Sequence, residues 1–346
     1  MTHTVLVTGV SRHVGARVAG VLAADPDIGR VIGVDTVPPP SPTRDGGSLS
    51  GRTEFVRVDL RSPDIAQVIA AADVDIVVHM SLVSGPARSR SAMKEHNVIG
   101  TMQLLGACQR STTVRRVVVR STTAVYGSAP NDPAVFTEDS EPAEVPHSGY
   151  AKDAGDVEGY VRGFARRRPD VVTSTLRFAN FMGPGVDSPL TRYFAQPFAP
   201  TVFGFDPRLQ FVHEDDGVEV LRRMALEDHP GTFNVAGDGV LLLSQCLRRA
   251  GRTPLPVPSP VFRFLGEVAR AARRLDFTPE QLALMCHGRV VDSGRLIREL
   301  GWKPKFGTAA AFEDFLRSRR LSGGLPAAVA DRLSDLASGR STPGPG

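Results

Sequence analysis

Gly9 and Gly15 are six residues apart and flank a stretch that leaves a strand-like run and enters a helix-like one. Gly9 permits a tight turn after the strand, and Gly15 lets the helix pack closely on the sheet. The backbone amides at the start of such a helix bind phosphate groups. In this context the glycine pattern predicts a dinucleotide site whose pyrophosphate lies against Thr8, Gly9, Ser11, Arg12, His13, Val14 and Gly15.

Asp35 lies twenty residues beyond Gly15, at the end of the second strand-like run. A carboxylate at this place accepts hydrogen bonds from the adenosine ribose hydroxyls and repels a 2′-phosphate. Asp35 therefore favours NAD over NADP as the cofactor. The alternative that remains open is a solvated aspartate at a strand end.

Strand-like and helix-like patterns alternate through the first half of the chain. Runs this apolar on both faces are typical of a parallel sheet that helices cover on both sides. We predict a doubly wound α/β fold. The predicted strands are Thr4–Val10, Arg30–Asp35, Glu54–Leu60, Asp75–Ser81, Arg115–Ser121 and Val172–Phe178, and the predicted helices are Val14–Ala24, Asp64–Ala72, Ser91–Gln109 and Tyr150–Arg167.

The second half is less regular, and it predicts a smaller α/β lobe. Pro254–Pro260 is too rich in proline for a helix interior, and we expect Val37–Gly51 to be an exposed loop and Ser338–Gly346 a disordered tail. The predicted elements are strands Leu209–His213 and Thr232–Ala236 and helices Pro279–His287, Ser293–Leu300 and Ala309–Arg319.

Short motifs from Thr8 to Pro304 resemble, in order, those of the extended short-chain dehydrogenase/reductases, the group that contains NAD-dependent sugar epimerases and dehydratases. The glycine fingerprint of that family is matched at Thr8, Gly9 and Gly15, but Arg12 replaces its middle glycine. The other matching segments are Asp59-Leu60, Val77–Ser81, Asn97–Thr101, Arg177–Asn180, Gly183–Gly185, Phe211–Asp216 and Leu300–Pro304.

The resemblance implies a division of the chain and a set of cofactor contacts. Residues 1–178, joined by 209–237, would form the NAD-binding domain, and residues 179–208 and 238–320 the substrate lobe. Residues 321–346 would be a C-terminal extension. Further cofactor contacts that the resemblance implies are Asp59, Leu60, Met80, Ser81, Asn97 and Tyr150.

The same resemblance assigns a catalytic pair and exposes a gap. Tyr150 aligns with the tyrosine base and Thr122 with the hydroxyl that holds the reacting oxygen. The family has a lysine four residues after the tyrosine, where its charge favours the phenolate. Here that position is Ala154, and Lys152 lies about 200° around the helix from Tyr150. Either another cation assists Tyr150, or the fold binds cofactor and ligand without turnover.

The family suggests a nucleotide sugar as the substrate, bound by Thr123, Asn180, Arg208 and Arg289. The arginine that usually clamps the diphosphate is replaced by Leu209, which lies next to Arg208. Three functions stay open: a nucleotide-sugar epimerase or dehydratase, a non-catalytic cofactor-binding regulator and a ketone reductase. The family commonly dimerises through two helices, here Ser91–Gln109 and Tyr150–Arg167, so we expect a homodimer.

Composition narrows the class of protein. The net charge is +4, but the arginines form short clusters without a basic face or a nucleic-acid motif. No apolar run is long enough to span a membrane, and the start has no leader pattern, so we expect a cytoplasmic protein. Three distant cysteines fit neither a disulfide framework nor a zinc site. Adjacent side chains of His213-Glu214-Asp215-Asp216 would point to opposite sides of an extended segment. Such residues rarely share one ion, so we expect no metal there.

Overall fold

Seven strands form one sheet in the order β11-β6-β5-β4-β1-β2-β3, and all neighbouring strands are parallel. The computed structural model describes residues 2–39, 53–84, 90–258 and 279–321. This order reverses direction between β1 and β4, as in other doubly wound folds, and confirms the predicted parallel sheet. The strands are β1 (His3–Thr8), β2 (Ile28–Asp35), β3 (Thr53–Arg57), β4 (Ile76–His79), β5 (Arg116–Thr122), β6 (Val172–Phe178) and β11 (Gly231–Val235).

Helices cover both faces of the sheet. Val5 and Val7 of β1 point to one face and Leu6 to the other, and each face has its own apolar cluster. The first face is covered by α1 (His13–Ala24) and α7 (Glu214–Leu226). The second is covered by α2 (Ile65–Ala71), α4 (Gly100–Arg110) and α5 (Gly149–Arg167). Among the described residues no helix combines the length and apolar character needed to cross a bilayer.

The predicted helix Ser91–Gln109 is interrupted. It consists of α3 (Arg90–Lys94), a π-helical turn (Glu95–Ile99) and α4. The π turn carries Asn97, whose side chain is buried and accepts the Val83 amide at 2.9 Å and donates to Val83 O at 3.0 Å. These bonds fasten the segment after β4 to the helix, so the wider turn serves a specific contact that periodicity does not reveal.

A second lobe is built from short strands and helices after β6. Its apolar cluster centres on Phe194, Phe211 and Phe312. The paired strands are β7 (Asn180–Met182) with β10 (Phe211–His213), β8 (Phe198–Val202) with β13 (Thr253–Val257), and β9 (Arg208–Leu209) with β12 (Leu241–Leu242). Its helices are α6 (Pro189–Ala195), α8 (Leu243–Arg249), α9 (Pro279–His287) and α11 (Thr308–Ser318), whereas α10 (Gly294–Leu300) packs against β11 in the first apolar cluster of the main sheet.

The predicted strand Leu209–His213 is two strands separated by Gln210. The Gln210 side chain accepts the Val291 amide at 2.9 Å and donates to Gly237 O at 3.2 Å. Because β9 and β10 pair with different partners, the chain must change direction between them. Proline does not prevent the pairing of Thr253–Val257 as β13.

The chain returns to the main sheet after building part of the second lobe. β11 pairs with β6, with Thr232 opposite Thr175, and α7 packs beside α1. His213 precedes α7, and its Nδ1 accepts the Asp215 amide, whereas both Asp216 oxygens accept backbone amides. Residues 40–51 of the predicted loop, the end of Pro254–Pro260 and the extension 322–346 with its tail Ser338–Gly346 lie outside the described residues.

Candidate functional site

One cavity of about 800 Å³ lies along the carboxyl ends of β1, β4, β5 and β6. Ligands of open α/β sheets bind at this edge, where the strand order reverses. Eleven residues that the sequence singles out share its lining: Gly9, Arg12, His13, Val14, Gly15, Met80, Thr122, Thr123, Tyr150, Asn180 and Arg289. The fold therefore brings the predicted phosphate turn and the predicted catalytic pair to one space.

The turn after β1 has the geometry that its glycines suggest. Gly9 has φ +76°, and a Cβ there would lie 3.0 Å from the Met80 carbonyl. A Cβ on Gly15 would lie 2.2 Å from Gly9 O, so any larger residue would push α1 away from β1. The first helical hydrogen bond of α1 runs from the Ala16 amide to Arg12 O. The amides of residues 13–15 precede it and are the ones that a helix N-terminus offers to an anion.

Asp35 closes the other side of this turn. Its Oδ2 accepts the Ser11 hydroxyl at 2.6 Å and the Ser11 amide at 3.1 Å. Its Oδ1 accepts the Thr36 amide at 2.7 Å and the Thr36 hydroxyl only at 3.5 Å, so a ligand hydroxyl can take the place of that long contact. Asp35 therefore fixes the turn and still offers an acceptor at the end of β2.

Arg12 takes the place of the middle glycine, and its side chain remains more than a third exposed at the cavity. Burial and the charge of Arg120 lower the pKa of Arg12, while Asp35 and Tyr150 act in the opposite direction. No described carboxylate is hydrogen-bonded to it. A guanidinium without a paired anion at the start of α1 suits a phosphate ligand.

Tyr150 and Thr122 face the cavity from α5 and β5. Tyr150 is the second residue of α5, and its ring packs partly against the apolar cluster under that helix. Thr122 Oγ1 accepts the Ala124 amide at 3.2 Å, at the beginning of a single 3₁₀ turn. That bond uses the oxygen as an acceptor, so the hydroxyl proton is left to donate to a ligand.

Ala154 occupies the position of the family's lysine and is fully buried in the apolar cluster. Lys152 forms an ion pair with Asp156 one turn further along α5. Lys152 therefore pairs along its own side of α5, as expected for a residue that helix geometry places on a different face from Tyr150.

Arg289 and Asn180 line the second-lobe side of the cavity. Burial lowers the pKa of Arg289 to about 10, and the charges of Asp132 and Tyr150 oppose that effect. The Arg289 Nε is buried and has no hydrogen-bond partner among the described residues. An unsatisfied buried donor is costly, and a ligand acceptor would relieve it.

The remaining predicted site residues lie behind or beside the cavity lining. Thr8 is buried, and its hydroxyl contacts His79 Nδ1 at 2.8 Å and accepts the Met80 amide. Arg208 donates to Ala134 O at 2.8 Å. Ser81, Leu60 and Asn97 are buried. Asp59 lies two residues after the end of β3 and forms an ion pair with Arg61. A direct cofactor contact by these residues stays a prediction.

Sequence reasoning missed several charged residues of the cavity, of which Arg120 is the most prominent. Arg120 and Thr122 are two apart on β5, so their side chains leave the strand on the same face, and this parity could have been read from the sequence.

Arg90 also lines the cavity and binds Asp153 in a bidentate pair at 2.6 and 2.5 Å, with a further bond to Gly149 O. Because Asp153 is fully buried, this pair fastens the start of α5.

Comparison with known proteins gives both a family and a fold. The family model described as "NAD dependent epimerase/dehydratase family" matches residues 5–236. An uncharacterised protein of Mycobacterium tuberculosis is 48% identical over 320 residues, which covers 92% of this chain and 84% of that protein.

Solved structures show the same fold at low sequence identity. A dTDP-glucose 4,6-dehydratase from Bacillus anthracis in complex with NAD superposes with a TM-score of 0.70 at 17% identity, covering 92% of this chain and 97% of the other. A UDP-glucuronic acid 4-epimerase from Bacillus cereus, in complex with UDP-glucuronic acid and NAD, gives 0.69 at 19% identity, covering 92% and 99%.

Proposed function

The chain belongs to the NAD-dependent epimerase/dehydratase family, and on that premise we propose that it epimerises or dehydrates a nucleotide sugar through transient hydride transfer. The observation that carries this proposal is the shared cavity of the Gly9–Gly15 turn, Thr122 and Tyr150. A dinucleotide seated on the turn and extending along the strand ends would reach the catalytic pair.

NAD is the cofactor of the family, and the described residues suit it. Gly9 and Gly15 leave no room for side chains where the turn meets the sheet, and the start of α1 offers backbone amides to a pyrophosphate. Asp35 supplies an acceptor for ribose hydroxyls and a negative charge that disfavours a 2′-phosphate. Arg12 adds a cation that a diphosphate would neutralise.

Bound NAD would supply the hydride acceptor, and the residues of this chain would supply the proton chemistry. Thr122 donates its free hydroxyl proton to the reacting oxygen of the sugar and so holds that oxygen in place. Tyr150 then removes the hydroxyl proton as the carbon is oxidised, which is general-base catalysis. Asn180 and Arg289 bind the diphosphate at the opposite wall of the cavity.

Two arginines supply part of the positive charge that the missing lysine would provide in this proposal. Tyr150 is within electrostatic range of both Arg12 and Arg289, because its charge contributes to the pKa of each guanidinium. Both arginines line the same cavity as Tyr150, and a preorganised cation stabilises negative charge that develops on a reacting oxygen. A cation from the phosphate turn and one from the second lobe would thus assist the base.

The substrate class rests on two supports. The cavity presents arginines to a diphosphate, and structural relatives act on dTDP-glucose or contain UDP-glucuronic acid. The test is mass spectrometry of ligands released from freshly purified, denatured protein, followed by assays with UDP-glucose, UDP-glucuronic acid and dTDP-glucose. We expect NAD in the released fraction and conversion of at least one sugar nucleotide. Retained NAD with no conversion of any of them would contradict the proposal.

Ala154 favours a second candidate, a cofactor-binding module that does not turn over. Because an alanine in an apolar cluster fills this position, the lysine that activates the tyrosine in the family is absent. Tyr150→Phe separates the candidates, with Tyr160→Phe, which removes a hydroxyl on α5 outside the cavity, as the matched control. For an enzyme, Tyr150→Phe abolishes conversion and retains NAD, whereas the control keeps full activity. For a module, neither change alters any ligand-dependent property.

We also propose that the protein is a homodimer. Ile99, Met102 and Tyr160 are each at least 40% exposed and belong to the two helical segments expected at the interface. Exposed apolar residues on neighbouring helices are typical of a contact surface. Light scattering on the purified protein should give twice the chain mass of 37.1 kDa, and Met102→Glu should halve it.

A further inference from the structure

Arg120 is a cation that lines the cavity from β5, the strand that also carries Thr122. β4 lies between β1, which carries the phosphate turn, and β5, which carries Arg120. Neighbouring strands are 4.7–4.9 Å apart, so β5 lies about 10 Å from β1. Arg120 leaves the same face of β5 as Thr122, the residue that would hold the reacting oxygen, and both line the cavity.

Arg120 makes few hydrogen bonds to the part of the chain that the structure describes. One terminal nitrogen donates to Leu82 O at 3.2 Å, and the guanidinium lies over the Phe181 ring at 5.4 Å. Its Nε is buried and has no partner among the described residues. No carboxylate of the described residues forms an ion pair with it, although the surface arginines of this chain commonly have one.

The charge of Arg120 is also uncompensated by the rest of the lining. The cavity contains two described carboxylates, Asp187 and Glu280. Asp187 pairs with Arg192, and Glu280 lies against Gly149 with its buried Oε1 unpartnered among the described residues, so neither forms an ion pair with Arg120. The charge of Arg120 instead acts on another cation, since it helps to lower the pKa of Arg12.

A neutral hexose would leave this cation unpaired, and an oxidised nicotinamide beside Thr122 would add a second positive charge. Like charges in a poorly solvated cavity repel each other strongly, and an anion between them removes the repulsion. A carboxylate matches a guanidinium in geometry as well as in charge. In the proposed arrangement Arg289 and the second lobe hold the diphosphate of the substrate, and the Gly9–Gly15 turn with Arg12 holds that of NAD, so neither is assigned to Arg120.

We propose that the sugar of the substrate carries a carboxylate, and that Arg120 binds it. This inference rests on the proposed function, because it names the substrate class of the same site. The chemical class is a nucleoside diphosphate uronic acid, a sugar nucleotide with a carboxyl group on the hexose ring. Arg120 is then a specificity-determining residue, and the arrangement discriminates against the corresponding neutral sugar.

The experiment measures the affinity of NAD-loaded protein for UDP-glucuronic acid and UDP-glucose by calorimetry. We expect UDP-glucuronic acid to bind at least tenfold more tightly, which corresponds to about 1.4 kcal/mol. Arg120→Gln should remove this preference and leave the affinity for UDP-glucose within about twofold. Arg120→Lys should restore part of it, because the charge returns without the planar fork.

Arg115→Gln is the matched control, since Arg115 is exposed just before the other end of β5. It should leave both affinities unchanged, and thermal unfolding should show that every variant is folded. Equal affinity for the two sugar nucleotides, or equal losses for both in Arg120→Gln, would overturn the inference while the proposed function stands. Failure of both ligands to bind NAD-loaded protein would overturn the proposed function itself.

Discussion

Ala154 lies one helical turn after Tyr150 on α5, and it is fully buried where Tyr150 reaches the cavity. Residues four apart on a helix share a face, so a side chain at position 154 could extend towards the tyrosine ring. The helix thus preserves the geometry of a tyrosine–lysine pair but lacks its charged member.

Ala154→Lys should raise the rate of conversion, because the added ammonium group would stand beside the Tyr150 hydroxyl. It should also lower the free energy of unfolding by about 1–3 kcal/mol, the usual effect of overfilling a packed core. Steady-state assays and urea unfolding measure the two effects. Gly155→Lys adds the same charge on the exposed face of α5 and should leave the rate unchanged. A rate unaltered in Ala154→Lys with NAD bound would show that the arginines already supply the charge.

Arg12→Gln should weaken NAD binding at least tenfold, since a charge-assisted hydrogen bond to phosphate contributes roughly 1.5–3 kcal/mol. The remaining affinity should also depend less on ionic strength, because one screened charge has been removed. Calorimetry at two salt concentrations measures both quantities. Arg110→Gln, at the exposed end of α4, is the control. Tighter binding by Arg12→Gln would mean that the arginine obstructs the turn.

Asp35→Asn should reduce the preference for NAD over NADP at least tenfold, because the amide no longer repels a 2′-phosphate. The amide oxygen can still accept the Ser11 amide, so the turn keeps its shape. Ser11→Ala is the matched control, since it removes the 2.6 Å bond but keeps the carboxylate. It should weaken both cofactors equally. An unchanged ratio in Asp35→Asn would place the ribose away from β2.

His79 should make the protein less stable in mild acid. Burial, with a smaller contribution from the charge of His96, lowers the pKa of His79 to about 3 from an ordinary 6.5. The unfolded chain therefore binds a proton below pH 6.5 that the folded state excludes, and stability falls as the pH drops from 6.5 towards 3. Between pH 6.5 and 5 this one group contributes a loss of about 1.6 kcal/mol.

His79→Gln should flatten that dependence by the same amount, although the variant is less stable at pH 7 because contacts to Thr8 and Thr101 change. Urea unfolding at pH 6.5 and 5 measures the difference. His147→Gln removes an exposed histidine and serves as the control. Equal pH dependence in wild type and His79→Gln would show that another group controls acid sensitivity.

The sequence predicts the sheet well because its strands are buried on both faces and leave continuous β-branched runs. Val172–Phe178 is found with the predicted bounds, and the end of β2 falls at Asp35 as expected. The phosphate turn is equally visible, since its glycines are required by backbone geometry. The second lobe is harder, because strands of two or three residues such as Arg208–Leu209 leave no periodic pattern.

The cavity residues differ in the same way: some are recognisable from their neighbours in the sequence, and others only from contacts in the folded chain. Tyr150 and Thr122 are recognisable from neighbouring motif residues. Arg120 and Arg90 acquire their roles from contacts across the fold, with Phe181 and Asp153 at separations of about sixty residues. The π turn at Asn97 is a further case, since its purpose is a bond to Val83. Tertiary contacts of this kind are not encoded in any local spacing.

The position of β11 has a consequence for how the chain folds and can be divided. Until residue 235 has been made, β6 is an open edge with unsatisfied backbone groups, and the apolar sheet face beside α1 remains uncovered where α7 will pack. A fragment that stops at Phe178 would display this edge and tend to self-associate. The two lobes therefore cannot be produced separately by one cut, and a newly made chain would remain vulnerable to aggregation until the return strand docks.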